Sequence, residues 1–417
     1  MRILVITNYY PPIELGGWEQ LTCNVVTKLQ EHDHQVEVLT SNYDKDQISI
    51  LDPHIHRSLH LESYDPEKYH LSYTLFHRHQ ERLNIESLTS LVNSFQPDII
   101  YVNGMWNLPF SLVKSAEELS PGRVVYYLAS YWPTEIDAHT AFWTSPTERS
   151  WRQLPKSILA PLVERAFITS TPRNQLDFKL VLCVSAFVQD YLVEEAGVPR
   201  ERTRVVHNGI ELELFKENPL RTEKKELRLL YAGRLSPDKG VHTILESLGI
   251  LKTSQPGLAI ELSIYGRGSH DYQRQLDQVV SKYHLENCVR FEGVVPREEM
   301  PDVFAAHNVL VFPSIWAEPL ARIIQEAMAC GLVVIGTATG GTKEILHDGE
   351  NGLIFEAGDA QMLAEKIFQI YADENLRTRL AKSGRHTVEE EFSLDRMVKE
   401  IENSFTQILE QRNISIE

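Results

Sequence analysis

The chain has 417 residues, enough for two or three domains that each bury a core. With 42% hydrophobic and 24% charged residues and no low-complexity tract, it has the composition of a folded globular protein. A formal charge of −17 excludes a general nucleic-acid binder, which needs a basic face against phosphates, but leaves room for a local basic patch.

The four cysteines, Cys23, Cys183, Cys288 and Cys330, form no C-x-x-C pair. Reduced thiols in a cytosol are therefore expected, rather than a zinc site or a disulfide framework. After Met1-Arg2 only four apolar residues precede Thr7-Asn8, too few for a signal-peptide core. No apolar stretch approaches the ~20 residues of a membrane-spanning helix.

Ile3 to Ile6 form a β-rich run closed by Asn8 and Pro11-Pro12. Gly16-Gly17 then open a helical pattern through Leu21, Val25, Val26 and Leu29, and a second strand follows at Val36 to Leu39. This is a βαβ unit with two glycines at its first helix start, where they either admit a phosphate or serve only the turn. The G-x-G-x-x-G fingerprint is missing, which argues against a dinucleotide-binding dehydrogenase.

His54, His56, His60, His70, His77 and His79 crowd an irregular run. They lack matching Cys or carboxylate spacing, so no metal is expected and polar loop or ligand-site roles fit better. A helix over Ile85 to Phe95 leads to a strand, Ile99 to Val102, ending at Asn103-Gly104. The strand Arg123 to Leu128 ends before Tyr131-Trp132-Pro133. Both strand ends open on the carboxyl edge of a parallel sheet, where ligands bind, so Asn103, Tyr131, Trp132 and the nearby His139 are ligand-site candidates.

Ser145 to Lys179 carries a local positive excess, with Arg149, Arg152, Lys156, Arg165, Arg173 and Lys179. Trp151, Leu154, Ile158, Leu159 and Leu162 recur there at helical spacing. This is either a core-facing helix with a solvated face or a lid or docking surface beside an anionic membrane. Strand Leu180 to Val184, a helix from Ser185 to Ala196 and the turn Val205 to Gly209 close the first half, placing a domain boundary near residue 206.

The second half restarts with strand Leu227 to Tyr231 and then Gly233-Arg-Leu-Ser-Pro-Asp-Lys-Gly240. Arg234 and Lys239, around a strand-to-helix turn, can bracket a diphosphate; the plainer alternative is an exposed loop. The order is not that of a P-loop. Gly266-Arg267-Gly268 and Glu292-Gly293-Val294 follow two further strands. Val309 to Pro313 reads as a buried strand, after which Pro319 predicts a helix start and Gly331 its exit. The amides of Leu320, Ala321 and Arg322 would then face an anion. Glu318 and Glu326 lie eight residues apart, within about 80° around a helix, so both can face one cleft. Alternatively, Glu318 complements the helix dipole and Glu326 is solvated.

Glu318-Pro319 to Glu326-Ala-Met-Ala resembles the Glu-x7-Glu motif of family 4 glycosyltransferases, which are retaining enzymes of GT-B fold. Gly233 to Gly240 is similar to that family's Gly-Arg-Leu-x3-Lys-Gly motif, and Asn208-Gly209-Ile210 to Phe215 to its hinge. The opening Pro-Pro and Gly-Gly follow its N-terminal pattern. Ala321 replaces a usual glycine, and Asn103 and Ala129-Ser130 stand where relatives carry histidines.

The resemblance implies an α/β fold of two Rossmann-like domains facing across a cleft. Residues 1–206 would bind the acceptor and 207–389 the nucleotide sugar, with a helix of about 390–412 packing back on the first domain. Arg234 and Lys239 would hold the diphosphate as leaving group, Glu318 the donor sugar and Glu326 the ribose. Gly16, Gly17, Asn208, Gly266, Arg267, Val294, Leu320, Ala321 and Arg322 would complete the donor site.

The implied activity is metal-independent hexosyl transfer, with retention, from a UDP-sugar such as UDP-glucose to a hydroxyl of a glycan or lipid-linked acceptor. It belongs to polysaccharide or glycolipid biosynthesis, in the cytoplasm or at the inner face of a membrane touched through residues 149–179. A nucleotide-sugar epimerase of the same fold and a noncatalytic nucleotide-sugar binder are the alternatives. An epimer formed from donor alone marks the first, and donor binding without transfer marks the second.

Overall fold

The computed structural model describes residues 1–13, 16–44, 48, 52–62, 71–134, 176–217 and 226–416, with side chains excepted at 71–75 and 412–416. His70, His139 and the basic residues from Arg149 to Arg173 lie outside the described residues.

Contacts divide the chain into two units. Unit 1 comprises Met1–Val184, Val188–Val206 and Val398–Glu417, and unit 2 comprises Ser185–Phe187 and His207–Met397. Each is built on one wholly parallel sheet whose central strands, such as Ile99–Asn103 and Val309–Phe312, are apolar runs, as burial on both faces requires.

In unit 1 the strands are β1 (Arg2–Ile6), β2 (Gln35–Ser41), β3 (Ile55–Leu59), β4 (Ile99–Asn103), β5 (Val124–Leu128), β6 (Leu180–Cys183) and β7 (Thr203–Val205). They lie in the order β3-β2-β1-β4-β5-β6-β7. Helices α1 (Gly17–Glu31), α2 (Leu71–Phe95), α3 (Phe110–Leu119) and α4 (Ala186–Glu194, of which Ala186 and Phe187 count to unit 2) connect them. The α2 helix starts well before the expected Ile85.

Ile3, Leu4, Val5 and Ile100 are fully buried in the sheet. Phe405, in the part of the last helix assigned to unit 1, meets the Tyr101 ring edge-on at 5.4 Å. At the α3 end of the sheet the buried Glu117 carboxylate accepts from Tyr126 Oη at 2.8 Å and from the amides of Asp177 and Phe178.

Unit 2 carries β8 (Leu227–Ala232), β9 (Ile260–Tyr265), β10 (Val289–Gly293), β11 (Val309–Phe312), β12 (Val333–Gly336) and β13 (Leu353–Ile354). The order is β10-β9-β8-β11-β12-β13. Its helices are α5 (Val241–Ser254), α6 (His270–Tyr283), α7 (Met300–Ala305), α8 (Arg322–Ala329), α9 (Ala360–Ala372) and α10 (Glu374–Glu391), with α11 running Leu394–Ile416. Leu229, Ile244, Leu262, Ile264, Val311, Ile335 and Ile367 form its core. Chain order reverses between β8 and β11, so the loops leaving these neighbours diverge, and such a switch point is where parallel α/β sheets bind ligands.

One expected boundary moves. The helix predicted from Pro319 begins at Arg322, with Ala321 extended as its N-cap. The cause is tertiary. The Gly341 amide donates to the Glu318 carbonyl at 2.7 Å, and the Pro319 carbonyl lies 2.0 Å from where a Gly341 Cβ would stand. Residues 318–320 are thus held along the 3-10 turn Gly340–Glu344 before the helix can start.

That same turn supplies Glu344. Its carboxylate accepts from the Ala186 and Phe187 amides at 2.8 and 3.0 Å and lies 3.0 Å from His207 Nε2. Burial opposes its ionisation, but the imidazole and the two amides outweigh this and hold its carboxyl below the usual carboxylate range. A depressed pKa adds stability that is present above the unfolded value near 4.5 and is lost as pH falls through the folded value. Glu344→Gln is therefore expected to cost about 1–3 kcal/mol at pH 7. In thermal melts the gap between wild type and variant should close below about pH 4.

Candidate donor site on unit 2

The backbone forms first. Gly266 donates its N–H to the Gly293 carbonyl at 2.6 Å, and Leu235 to the Arg267 carbonyl at 2.9 Å. The ends of β8, β9 and β10 thus lie backbone against backbone. At Gly266, with φ +137°, an added Cβ would fall 1.8 Å from the Gly233 carbonyl oxygen. Gly240, with φ +69°, similarly abuts the Pro313 carbonyl oxygen, which joins the loop after β8 to the one after β11. The Ile315 and Trp316 amides add to that junction by donating to the Asp238 carbonyl at 2.8 and 3.1 Å.

These loops bring two predicted residues together. Lys239 Nζ is paired with Glu318 Oε1, and Ser314 Oγ donates to the same oxygen at 2.9 Å. The ammonium keeps donors to spare. Glu318 Oε2 makes no hydrogen bond among the described residues. Arg234 is exposed beside them, its carbonyl held by Tyr231 Oη at 2.6 Å; burial pushes the Tyr231 phenol well up, keeping it a neutral donor. Arg267 and Val294 are exposed at the ends of the two adjoining strands.

Glu326 sits apart in a second cluster. Arg297 Nη1 donates to its Oε1 at 2.8 Å, and Arg322 Nη2 stands 3.6 Å from the same atom. Both guanidinium groups also face Glu211 Oε2, at 3.2 and 3.6 Å. Glu326 is 6% exposed, yet its Oε2 makes no hydrogen bond among the described residues. Both motif carboxylates are therefore anchored to cations through Oε1, with Oε2 unengaged.

Other candidates are placed differently. Asn208 is buried, with Gln325 Nε2 donating to its Oδ1 and its carbonyl at 3.1 Å, so its side chain serves packing on α8. Leu320 and Ala321 are buried ahead of the helix rather than in its first turn, and Arg322 takes part through its guanidinium. In unit 1, Gly16 and Gly17 are exposed at the α1 start, where Glu19 accepts the Gly16 amide at 3.1 Å.

Trp132 is buried and stacks on Phe110 at 4.6 Å, making it a core residue. Tyr131 packs on Tyr191 at 4.6 Å. Asn103 is fully buried at the end of β4 with both amide atoms unpartnered among the described residues. Among the histidines, His54 and His56 bracket the Glu37 carboxylate at 3.0 and 2.6 Å. Arg297, Ser314 and Glu211 escaped the sequence reading. Arg297 precedes Glu326 by 29 residues in a short turn whose local pattern gives no sign of a partner.

Known proteins complete the picture. A sequence model described as Glycosyl transferases group 1 matches residues 213–387, and one described as Glycosyltransferase Family 4 matches residues 15–214. The amylovoran biosynthesis glycosyltransferase AmsK of Erwinia amylovora is 31% identical over 53% of this chain and 54% of its own length. Glycogen synthase of Mycobacterium tuberculosis is 25% identical over 94% of this chain and 91% of its own. The chain spans 44–63% of the length of several other curated relatives, among them spore coat protein SA of Bacillus subtilis. Among solved structures, HepE of Anabaena in complex with UDP and glucose matches with TM-score 0.68 at 21% identity, covering 98% of this chain and 100% of that one. With one family model on each half and the motif residues assembled on the second sheet, the chain belongs to the family 4, group 1 glycosyltransferases of GT-B fold.

Proposed function

We propose that the protein is a retaining hexosyltransferase that moves a sugar from a nucleoside diphosphate donor, with UDP-glucose the first candidate, to a hydroxyl of a glycan or lipid-linked acceptor in polysaccharide or glycolipid assembly. The carrying observation is the pair of carboxylates Glu318 and Glu326, each held by a cation through Oε1 with Oε2 unengaged, on the sheet whose β8–β11 switch point carries Arg234 and Lys239. Such carboxylates accept sugar and ribose hydroxyls, while the two cations suit a diphosphate. AmsK acts in amylovoran biosynthesis by its name, and HepE was captured with UDP and glucose, which support this choice of chemistry.

Unit 2 holds the donor and unit 1 the acceptor in this reading, with Asn103 on the acceptor side. In the reaction the bond from the sugar C1 to the donor phosphate oxygen breaks. The acceptor oxygen bonds to C1 on the same face, and its proton passes to the departing phosphate oxygen. Arg234 and Lys239 stabilise the charge that grows on the diphosphate, so positioning and electrostatics supply most of the acceleration. No helix among the described residues is long and apolar enough to cross a membrane. Contact with a lipid-linked acceptor would fall to the basic stretch 149–179.

The test is a thermal-shift screen of nucleotide sugars, repeated with Arg234→Ala and Glu326→Gln. One donor should raise the melting temperature of the wild type by several degrees, and both variants should lose most of that rise. If both keep the wild-type shift, the donor site lies elsewhere. The product of that donor with an accepted glycan should keep the anomeric configuration by NMR.

A further inference from the structure

Arg297 belongs to none of the motifs that point to the donor site, yet it bonds two carboxylates there and lies over an aromatic ring. Nη1 donates to Glu326 and Nη2 to Glu211, at 2.8 and 3.2 Å, and the guanidinium carbon lies 5.3 Å from the centre of the Phe215 ring. Phe215 is fully buried and braced edge-on by Phe304 at 6.0 Å. Only 19% of the Arg297 side chain is exposed. A planar fork with five donors can serve two carboxylates and stack on an aromatic face together, which a lysine cannot.

Each contact has a distinct source. Arg297 opens the short turn before α7, Glu326 lies in α8, and Glu211 and Phe215 follow the turn Asn208-Gly209-Ile210. The Ile210 amide is itself fixed to the Phe392 carbonyl at 2.9 Å. Two arginines and two glutamates alternate, so the charges of the cluster balance and neither glutamate faces an uncompensated like charge. Without Arg297, its remaining cation would be Arg322 at 3.6 Å, on its own helix, while Glu211 would face it half-neutralised.

We propose that Arg297, clamped between Glu211 and the Phe215 ring, is the positioning residue that aims Glu326 Oε2 at the ribose diol of the nucleotide, and thereby sets the preference for nucleotides that carry ribose hydroxyls. This rests on the donor-site reading of Glu326. It gives Glu211 and Phe215 of the turn segment a task within that site: they hold the residue that holds the carboxylate. A carboxylate free to rotate would still attract a nucleotide weakly but would lose the two-point geometry that distinguishes a diol from its absence.

The experiment measures calorimetric affinity for UDP, GDP and ADP, each beside its 2′,3′-dideoxy counterpart, in wild type, Arg297→Met, Glu211→Gln and Glu326→Gln. Wild type should prefer one ribonucleotide over its dideoxy form by about 10- to 100-fold, as expected when a charged acceptor loses its donors. Arg297→Met and Glu326→Gln should both bring that ratio to within about threefold of one, with dideoxy affinity little changed because the diphosphate contacts are intact. If Arg297→Met fails to fold, Glu211→Gln, which loosens the clamp without removing the guanidinium, should lower the same ratio. The proposal is overturned if the clamp variants keep the wild-type ratio while Glu326→Gln loses it, or if ribo and dideoxy affinities fall in parallel, which marks a merely structural residue. A wild type that binds nucleotides without discriminating the diol, or binds none, overturns the ribose role of Glu326 itself.

Discussion

Lys239→Ala is expected to lower turnover with the nucleotide-sugar donor by about 10²–10³-fold, the cost of removing one preorganised donor from a developing charge. Two losses combine in this variant. The ammonium no longer meets the departing diphosphate, and Glu318 loses the cation that holds its Oε1, leaving only Ser314 Oγ at 2.9 Å. The carboxylate that the proposed reaction gives to the donor sugar is therefore released as well. Arg234→Ala should differ in kind. Its guanidinium is exposed and has no carboxylate partner among the described residues, so its removal frees nothing in the protein. Steady-state kinetics separate the two: Arg234→Ala should weaken donor binding and slow turnover with an unchanged melting temperature. Lys239→Ala should also blur selection among donor sugars, since Glu318 is no longer fixed. Wild-type turnover in Lys239→Ala would remove the lysine from the mechanism.

Gly266→Ala should destabilise the protein by more than about 3 kcal/mol, the range of backbone strain combined with overpacking that cannot relax. Its φ of +137° lies where residues with a Cβ rarely go, and that Cβ would stand 1.8 Å from the Gly233 carbonyl oxygen. Neither contact can be relieved by turning a side chain, because both partners are backbone, and the Gly266 amide is committed to Gly293 at 2.6 Å. For a unit of roughly 200 residues this corresponds to a fall of about 6–12 °C in melting temperature. If folded protein is recovered, donor affinity should fall too, because the loop with Arg234 and Lys239 is fastened to Gly268 and Arg267 through Leu235. A melting temperature within 2 °C of wild type would show that the edge yields more easily than this packing allows.

The sequence carried the local half of this account. Strand–turn–helix punctuation around Ile3, Ile99, Leu227 and Val309 follows from runs of apolar residues long enough to cross a buried sheet and from glycines and prolines that end them. Period and punctuation are local properties, which is why the α/β class was legible. The two motif segments were legible for the same reason, as each lies within a short stretch of chain.

What escaped was everything set by distant partners. The α8 helix starts at Arg322 rather than Pro319 because the turn at Gly340-Gly341 holds the backbone at Glu318 and Pro319. Trp132 looked like an acceptor-side aromatic at a strand end, but its ring faces Phe110 and is buried. Asn208 sat in a motif, and its amide was claimed by Gln325, 117 residues away.

By itself, the sequence determined that two α/β halves exist and that cations and carboxylates of the right kind lie at strand-to-helix turns and in one helix of the second. Only the tertiary structure decided which charges meet. Lys239 reaches Glu318 across 79 residues because β8 and β11 are neighbours in the sheet though not in the chain. Arg297 reaches Glu326 and Glu211 because an aromatic ring from a third segment fixes its plane. A charge pair's energy depends on distance and burial, and neither is encoded within reach of a local pattern.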